Sequence, residues 1–348
     1  MAKQDSISHD QILSDLRQKR YAPVYFLMGE EPYYIDFISD YIQKNVLDET
    51  EKEFDLSILY GKDVDINTVI NAAKRYPMMG SHQVLIIKEA QLIKEWDNLV
   101  HYLSNPLKST ILVFCYKYGT PDKRKKWFQE INKVAVVHES VKLRDYEVGS
   151  WISKFCKSKN VAIDEKAVAM LSEFLGTDLS KLVNELDKLI LTKPSESQSI
   201  TPELIEKNIG ISKDFNVFEL QVALVNNDVL KANRIVRYFA DNKKANPMVL
   251  TLAQLFKFFS DLMIYHYLSD KSPGYVASEL RINPYFVKDY QKAAQSFGAW
   301  KTMNIISWIR ETDARYKGID NPSTDEGELL KELVFNYSTL ILQTHKRD

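Results

Sequence analysis

Between Tyr21 and Val141, five short apolar runs alternate with amphipathic stretches, and this alternation restricts the possible folds more than any other feature of the chain. The runs "PVYFLMG", "FDLSILYG", "HQVLIIKEA", "STILVFCYK" and "KVAVVHESV" are rich in Val, Ile, Leu and aromatic residues and are of strand length. Between them, "EPYYIDFISDYIQKNV", "DINTVINAAKRY" and "DKRKKWFQEIN" carry helical spacing. Near-continuous apolar strands separated by helices predict an α/β domain with a largely parallel sheet.

Beyond Val141 no further strand is expected. "DYEVGSWISKFCKSKN", "DEKAVAMLSEFLG" and "DLSKLVNELDKLILT" read as three helices, with Gly176 at a helix stop and Leu179, Leu182, Val183, Leu186, Leu189 and Ile190 as one apolar stripe. A polar linker, "TKPSESQSIT", leads to Thr201 and Pro202, placed as cap and first residue of another helix. From about Ile211 the pattern is helical again, with stripes at Val217, Phe218, Leu220, Leu224 and at Ile235, Val236, Phe239, punctuated by Pro247, Pro273, Pro284 and Pro322. The reading is α/β plus all-α: an α/β domain over 1–142, a small helical domain over 143–211 and a larger helical domain over 212–348.

The first strand-turn-helix unit resembles a phosphate-binding loop that has lost its chemistry. A working G-x-x-x-x-G-K-[ST] loop wraps phosphates in backbone N–H groups, neutralises them with lysine and holds magnesium through a hydroxyl. After Gly29, this chain has Tyr34 at the second glycine position, Ile35 at the lysine position and Asp36 at the hydroxyl position, while Glu30 and Glu31 add negative charge. In "VLIIKEAQ", Lys88 stands where an ATPase of this architecture places its first magnesium-organising acid, leaving Glu89. Two losses in one site predict a degenerate nucleotide-binding domain.

With 46 Lys+Arg against 47 Asp+Glu the net charge is −1, which excludes a strongly basic nucleic-acid binder. The two cysteines, Cys115 and Cys156, form no metal or redox motif and are expected to be core thiols. Neither a signal-peptide core nor a run of about 18 apolar residues is present, so a cytoplasmic protein is expected. No metalloprotease, nucleophile-elbow or paired-cysteine motif occurs, and no catalytic or metal-binding residue is predicted. His82, His101 and His138 are expected at strand ends as satisfied edge groups.

Two features stand apart. In "RYPMMGSHQV", Met78 and Met79 follow a predicted helix and precede Gly80. Neighbours on a helix point about 100° apart, so the two do not bury readily on one face. The alternatives are a helix C-terminal turn tucked onto the sheet, or an adaptable apolar tip that docks into a partner's pocket. The run "DKRKKW" gathers Lys123 and Arg124 with two further lysines, either as a solvated helix face or as a DNA-backbone contact. Trp300, Trp308, Tyr316 and Phe335 are expected in helix packing, while Arg310, Arg315 and Lys317, close to Tyr316, are candidates to meet a nucleic-acid strand.

The stretches "VYFLMGEEPYYID", "YPMMGSHQVLIIKEA", "LVFCYKYGTPDKRKKW", "LGTDLSKLVNELDKL" and "ITPELIEKNIGISKDFNVFEL", in this order, resemble the delta subunits of bacterial DNA polymerase III clamp loaders. That resemblance implies an AAA+ fold of three domains: a RecA-like domain with a degenerate P-loop, a helical lid and a helical collar. The resemblance implies that the collar assembles into a hetero-pentamer with ATPase and delta-prime-type subunits, in which the neighbours, and not this chain, bind ATP. It further implies that the chain binds and opens the beta sliding clamp for loading on primer-template DNA, through a hydrophobic pair whose positions are held by Met78 and Met79. The pair here lacks the aromatic member seen in some relatives. No membrane partner is implied, and any enzymatic activity would be that of the polymerase (nucleotidyltransferase) complex. The rival readings are an active P-loop ATPase with an unorthodox loop, which Ile35 and Lys88 oppose, and a DNA-binding scaffold, which the near-neutral charge opposes.

Overall fold

A computed structural model describes residues 7–194, 199–210, 212, 214–244, 246–320 and 323–342. The chain divides into two compact units, Met1–Leu143 and Arg144–Asp348.

The first unit runs α1 (His9–Arg17), β1 (Val24–Gly29), α2 (Pro32–Asn45), α3 (Glu49–Asp55), β2 (Leu56–Tyr60), α4 (Ile66–Ala73), β3 (Gln83–Lys88), α5 (Leu99–Leu103), β4 (Thr110–Lys117), α6 (Lys126–Val134) and β5 (Val136–Ser140). Each apolar run of the sequence is one of these strands, and they form a parallel sheet of order β2-β3-β4-β1-β5. Strand side chains alternate between faces, and the buried residues follow that alternation. Val24, Phe26, Leu85, Ile87, Leu112 and Phe114 join the core under α4–α6, where Trp96 stacks on Trp127 with ring centroids 4.6 Å apart. Tyr25, Leu27, Val84, Ile86, Ile111 and Val113 face α1 and α2. Burial on both faces explains why β1, β3 and β4 read as continuous apolar runs, while the edge strands β2 and β5 are partly exposed.

The second unit begins with α7 (Asp145–Ser158), β6 (Ala162–Ile163), α8 (Glu165–Leu175), α9 (Leu179–Thr192), β7 (Ser199–Ile200) and α10 (Pro202–Ile209). β6 and β7 pair in parallel, so strands do not end at Val141. Two residues each are too few to leave a periodic signal. Gly176 ends α8 with φ +62°, and the Thr201 hydroxyl accepts the Leu204 N–H ahead of Pro202. The remaining helices are α11 (Val217–Val225), α12 (Val229–Asp241), α13 (Met248–Tyr267), α14 (Pro273–Leu280), α15 (Val287–Ser296), α16 (Ala299–Tyr316) and α17 (Glu326–Leu342). Pro247, Pro273 and Pro284 each stand at a helix start; Pro322 lies outside the described residues.

One core runs from Leu220 to Tyr337, and Trp308 and Tyr316 pack against it. Trp300 and Phe335 are exposed instead, contrary to the packing role expected for them. α13 is long and apolar enough to pass as a membrane span, although Lys257 and Asp261 interrupt its apolar run. Its Leu255, Phe259 and Leu262 are fully buried in this core. Glu219, buried on α11, accepts from Lys166 of α8 at 2.8 Å and from Lys231 of α12, tying the smaller set of helices to the larger.

Candidate docking tip and remodelled nucleotide cradle

Gly29 ends β1 with φ +136°, and its N–H and C=O exchange hydrogen bonds with Gly119 at 3.0 and 3.1 Å. A Cβ there would lie 2.0 Å from the Ser140 carbonyl oxygen, so glycine is demanded by sheet geometry and not by a phosphate. Glu30 is exposed, whereas Glu31 is buried as the N-cap of α2 and accepts the Tyr33 N–H at 3.0 Å. Pro32 at the first helical position has no N–H to offer. The helix end where a P-loop protein holds an anion is therefore capped by the chain's own carboxylate.

The other cradle positions are filled as well. Tyr34 stacks on His9 of α1, ring centroids 4.0 Å apart, and Ile35 is fully buried beside Ile38 and Ile42. Asp36 pairs with Lys117 at 2.7 Å and with Lys88 at 3.8 Å; Lys88 also reaches Asp40 at 3.1 Å and Ser39 Oγ at 2.9 Å. In an ATPase the helix carries the lysine and the strand carries the acid; here the two signs are exchanged. Burial opposes the Lys88 charge, but Cys115, Asp40 and Asp36 more than offset that and hold its ammonium above the usual range. Glu89 takes a left-handed conformation, φ +51°, at the turn after β3. Its carbonyl would meet a Cβ on Gly61 at 2.3 Å, so Gly61 and Glu89 lock this turn together.

The methionine pair lies elsewhere in this unit. α4 ends at Ala73, four residues earlier than a helix-terminal pair would require, and Met78 and Met79 sit in the bend that leads to β3. Neither tucks onto the sheet: they are 76% and 59% exposed, near Tyr76 in sequence, itself 74% exposed. The backbone beneath them is nonetheless held. The Asp55 carboxylate, at the end of α3, accepts the Met78 N–H at 2.6 Å and the Met79 and Gly80 N–H groups at 2.9 Å each. On the other side, the Gln83 amide reaches the carbonyls of Ala72, Ala73 and Arg75 and the Thr110 hydroxyl, closing the end of α4. Sequence reasoning missed both anchors. The one signal available was an aspartate at a helix C-terminus, where the dipole disfavours an anion.

The candidate DNA-contact cations are mostly engaged internally. α6 starts at Lys126, so Lys123 and Arg124 occupy the preceding turn and not a helix face. Lys123 pairs with Glu139 at 2.6 Å and Arg124 with Asp122 at 3.0 Å, in two unrelated directions. On α16 and just beyond it, Arg315 pairs with Glu332 at 2.8 Å and Lys317 with Asp313 at 2.6 Å, while Tyr316 packs against the core. Arg310 is exposed and has no ion pair among the described residues.

His138 is buried in β5 and bonds the Ile7 carbonyl at 2.8 Å; His82 bonds Ser81. His101 is on α5 and not at a strand end. Both cysteines are buried, and burial pushes each thiol up to about 11. The described residues contain no group of three or more His, Cys, Asp or Glu able to hold a metal ion. In the second unit a cavity of about 350 Å³ is lined by Phe218, Phe258, Phe286 and Tyr290 together with Glu173 and Asp289. Glu173 is partly exposed and has no hydrogen-bond partner among the described residues, and desolvation pushes its carboxyl up to about 7.

Comparison with known proteins follows the same division. The family model described as DNA polymerase III, delta subunit, matches residues 25–140, and that for the DNA polymerase III delta subunit, C-terminal domain, matches residues 214–331. The chain is 24% identical over 319 residues to "DNA polymerase III subunit delta" of Bacillus subtilis, covering 88% of this chain and 91% of that protein. It is 24% identical over 190 residues to "Probable DNA polymerase III subunit delta" of Mycoplasma genitalium, covering 54% of this chain and 61% of that protein. Among solved structures, the Bacillus subtilis DNA clamp loader delta protein shares the fold with a TM-score of 0.56 at 22% identity, over 95% of this chain and all of that one.

Proposed function

Because the chain belongs to the DNA polymerase III delta subunit family, we propose that it is the clamp-loader subunit that binds the ring-shaped beta sliding clamp and opens it for loading on primed DNA. The observation that carries this reading is the pair of adjacent methionines, exposed on a turn whose backbone is fixed from beneath. Flexible thioethers suit an apolar pocket, and an ordered backbone lowers the cost of presenting them.

In this reading the first unit is an AAA+ domain kept as a structural part. Support comes from the parallel sheet with a glycine ending its β1 strand, and from a cradle capped by Glu31, plugged by Ile35 and reversed in charge at Asp36 and Lys88. ATP is bound by the neighbouring loader subunits, which include a delta-prime type, in a hetero-pentamer assembled through the collar of 212–348. The chain supplies no catalytic group of its own to the nucleotidyltransferase complex and acts in the cytoplasm. Opening requires that the tip favour the strained or open clamp over the closed one, since equal affinity for both shifts nothing. ATP in the neighbours exposes the tip, and hydrolysis on primer-template DNA withdraws it. Of the candidate DNA contacts, Arg310 is the cation with charge to offer a phosphate.

The test is binding of the full chain to its cognate clamp by surface plasmon resonance, beside Met78→Ala/Met79→Ala and an ATP titration. Wild-type binding weakened about 100-fold in the variant, with no ATP binding, supports the reading. Unchanged affinity in the variant overturns it, and ATP binding without clamp binding points to the ATPase alternative.

A further inference from the structure

The docking tip contains an anchor that its exposed residues do not reveal. Asp55 is only 4% exposed, yet it ends α3, where the unsatisfied carbonyls of the helix make a poor neighbourhood for an anion. Nothing local repays that placement. Its partners lie 23 to 25 residues further along the chain: three consecutive backbone N–H groups, those of Met78, Met79 and Gly80, converge on the two carboxylate oxygens at 2.6, 2.9 and 2.9 Å. Burial alone would raise the Asp55 carboxyl, but the three donors outweigh it and hold it below the usual range.

Three donors on one carboxylate fix the path of the Met78–Gly80 backbone. With that backbone turned inward to Asp55, both methionine side chains remain in solvent. A second residue of α3 completes the seat: a Cβ on Gly80 would come within 2.4 Å of the Glu51 carboxylate, which is itself engaged with the Asp48 N–H at the start of the helix. α3 thus meets the turn at both of its ends.

We propose that Asp55 is the positioning residue of the docking tip, its carboxylate holding the Met78–Gly80 turn in the conformation that enters the partner's apolar pocket. This rests on the clamp-binding reading of Met78 and Met79. A turn held before docking avoids ordering three residues at the moment of binding, and that saving is realised as affinity. The role needs an acceptor with two oxygens and no donor. Asn offers one oxygen and turns an N–H₂ toward backbone N–H groups.

The experiment compares full-length wild type, Asp55→Asn and Asp55→Glu for clamp affinity, thermal midpoint and amide exchange at Met78, Met79 and Gly80. Slowed exchange of the three amides is expected in wild type. In Asp55→Asn their protection is lost while that of β3 and β4 persists, and clamp affinity falls about tenfold; Asp55→Glu, which keeps the charge but moves it by one methylene, falls less. Combined with Met79→Ala, Asp55→Asn costs less affinity than it does alone, because it acts through the methionines and not through the fold. Unprotected amides in wild type overturn the assignment even if a variant fails to fold, as does wild-type affinity in an Asp55→Asn protein whose turn has been released. If Met78→Ala/Met79→Ala binds normally, the clamp reading fails. If that variant loses binding while Asp55→Asn keeps it, only the role of Asp55 fails.

Discussion

The nucleotide cradle and the methionine tip are two loops of one unit that use the same device to opposite ends. Each has a carboxylate only 4% exposed that accepts backbone N–H groups: Glu31 at the start of α2, and Asp55 beneath the tip. At the cradle the surrounding side chains turn inward: Ile35 enters the core, Tyr34 covers His9, and Asp36 is drawn to two lysines. At the tip they turn outward. On the proposed function, the loop without a ligand is sealed by its own side chains, whereas the loop kept for a partner is stiffened in its backbone and left apolar outside.

The strongest way to break this contrast is to restore the cradle's lysine. Ile35→Lys places an ammonium in a fully buried site, and a loss of about 3–5 kcal/mol of stability without ATP binding is expected. Denaturant unfolding beside an ATP titration measures both, and a stable variant that binds ATP would show that the cradle is not sealed. At the tip, Met78→Ala/Met79→Ala is expected to cost about 2.7 kcal/mol of clamp affinity with an unchanged thermal midpoint. A fall in the midpoint instead would make the pair part of the core.

Glu173 sharpens the comparison because it is only partly exposed, lines the cavity of the second unit and, unlike Glu31 and Asp55, has no N–H donor among the described residues. Its carboxyl is raised to about 7, while that of Asp55 is lowered. Between the ordinary value of 4.5 and 7 the folded chain binds more protons at Glu173 than the unfolded chain, so its contribution is present at pH 4.5 and is lost as pH rises through 7. The Asp55 contribution has the opposite sign and is lost as pH falls below the usual aspartate range. Glu173→Gln is therefore expected to leave stability near wild type at pH 4.5 and to raise it by about 1–3 kcal/mol at pH 8, read from urea midpoints. The smallest effect concerns Arg310. Its replacement by Ala should weaken DNA binding by the assembled loader by less than about 1 kcal/mol and reduce the salt slope by about one, with no change for Lys317→Ala, whose charge is paired with Asp313.

How legible these sites were follows from the range of the interactions. β1, β3 and β4 could be read because burial on both faces leaves continuous apolar runs, β2 and β5 at the sheet edges because their short apolar runs are of strand length, and the loop's departures from a phosphate loop because that loop is a contiguous pattern. Where a residue acts through a distant partner, the sequence is silent. Asp55 meets a turn 23 residues away, Gln83 closes a helix eleven residues back, and Lys123 is neutralised by Glu139 across a loop and a helix. The sequence extends the helix preceding the tip too far because "KRYP" has no strong stop before its proline. In fact α4 ends where the Gln83 amide takes the last carbonyls. The pair β6 and β7 was missed because pairing across 37 residues needs only two residues on each side.

The exposure of Met78 and Met79 also places two accessible thioethers at the proposed docking surface. Cys115 and Cys156 are buried thiols and Met28, Met170 and Met248 are core residues, so a hydroperoxide meets the tip and Met303 before them. Transfer of one oxygen to a thioether gives a polar sulfoxide and releases water or alcohol, and an apolar pocket would refuse the product. The openness that suits the pair to the proposed docking thus also leaves it open to oxidation, and a sulfoxide reductase could restore it without unfolding the chain.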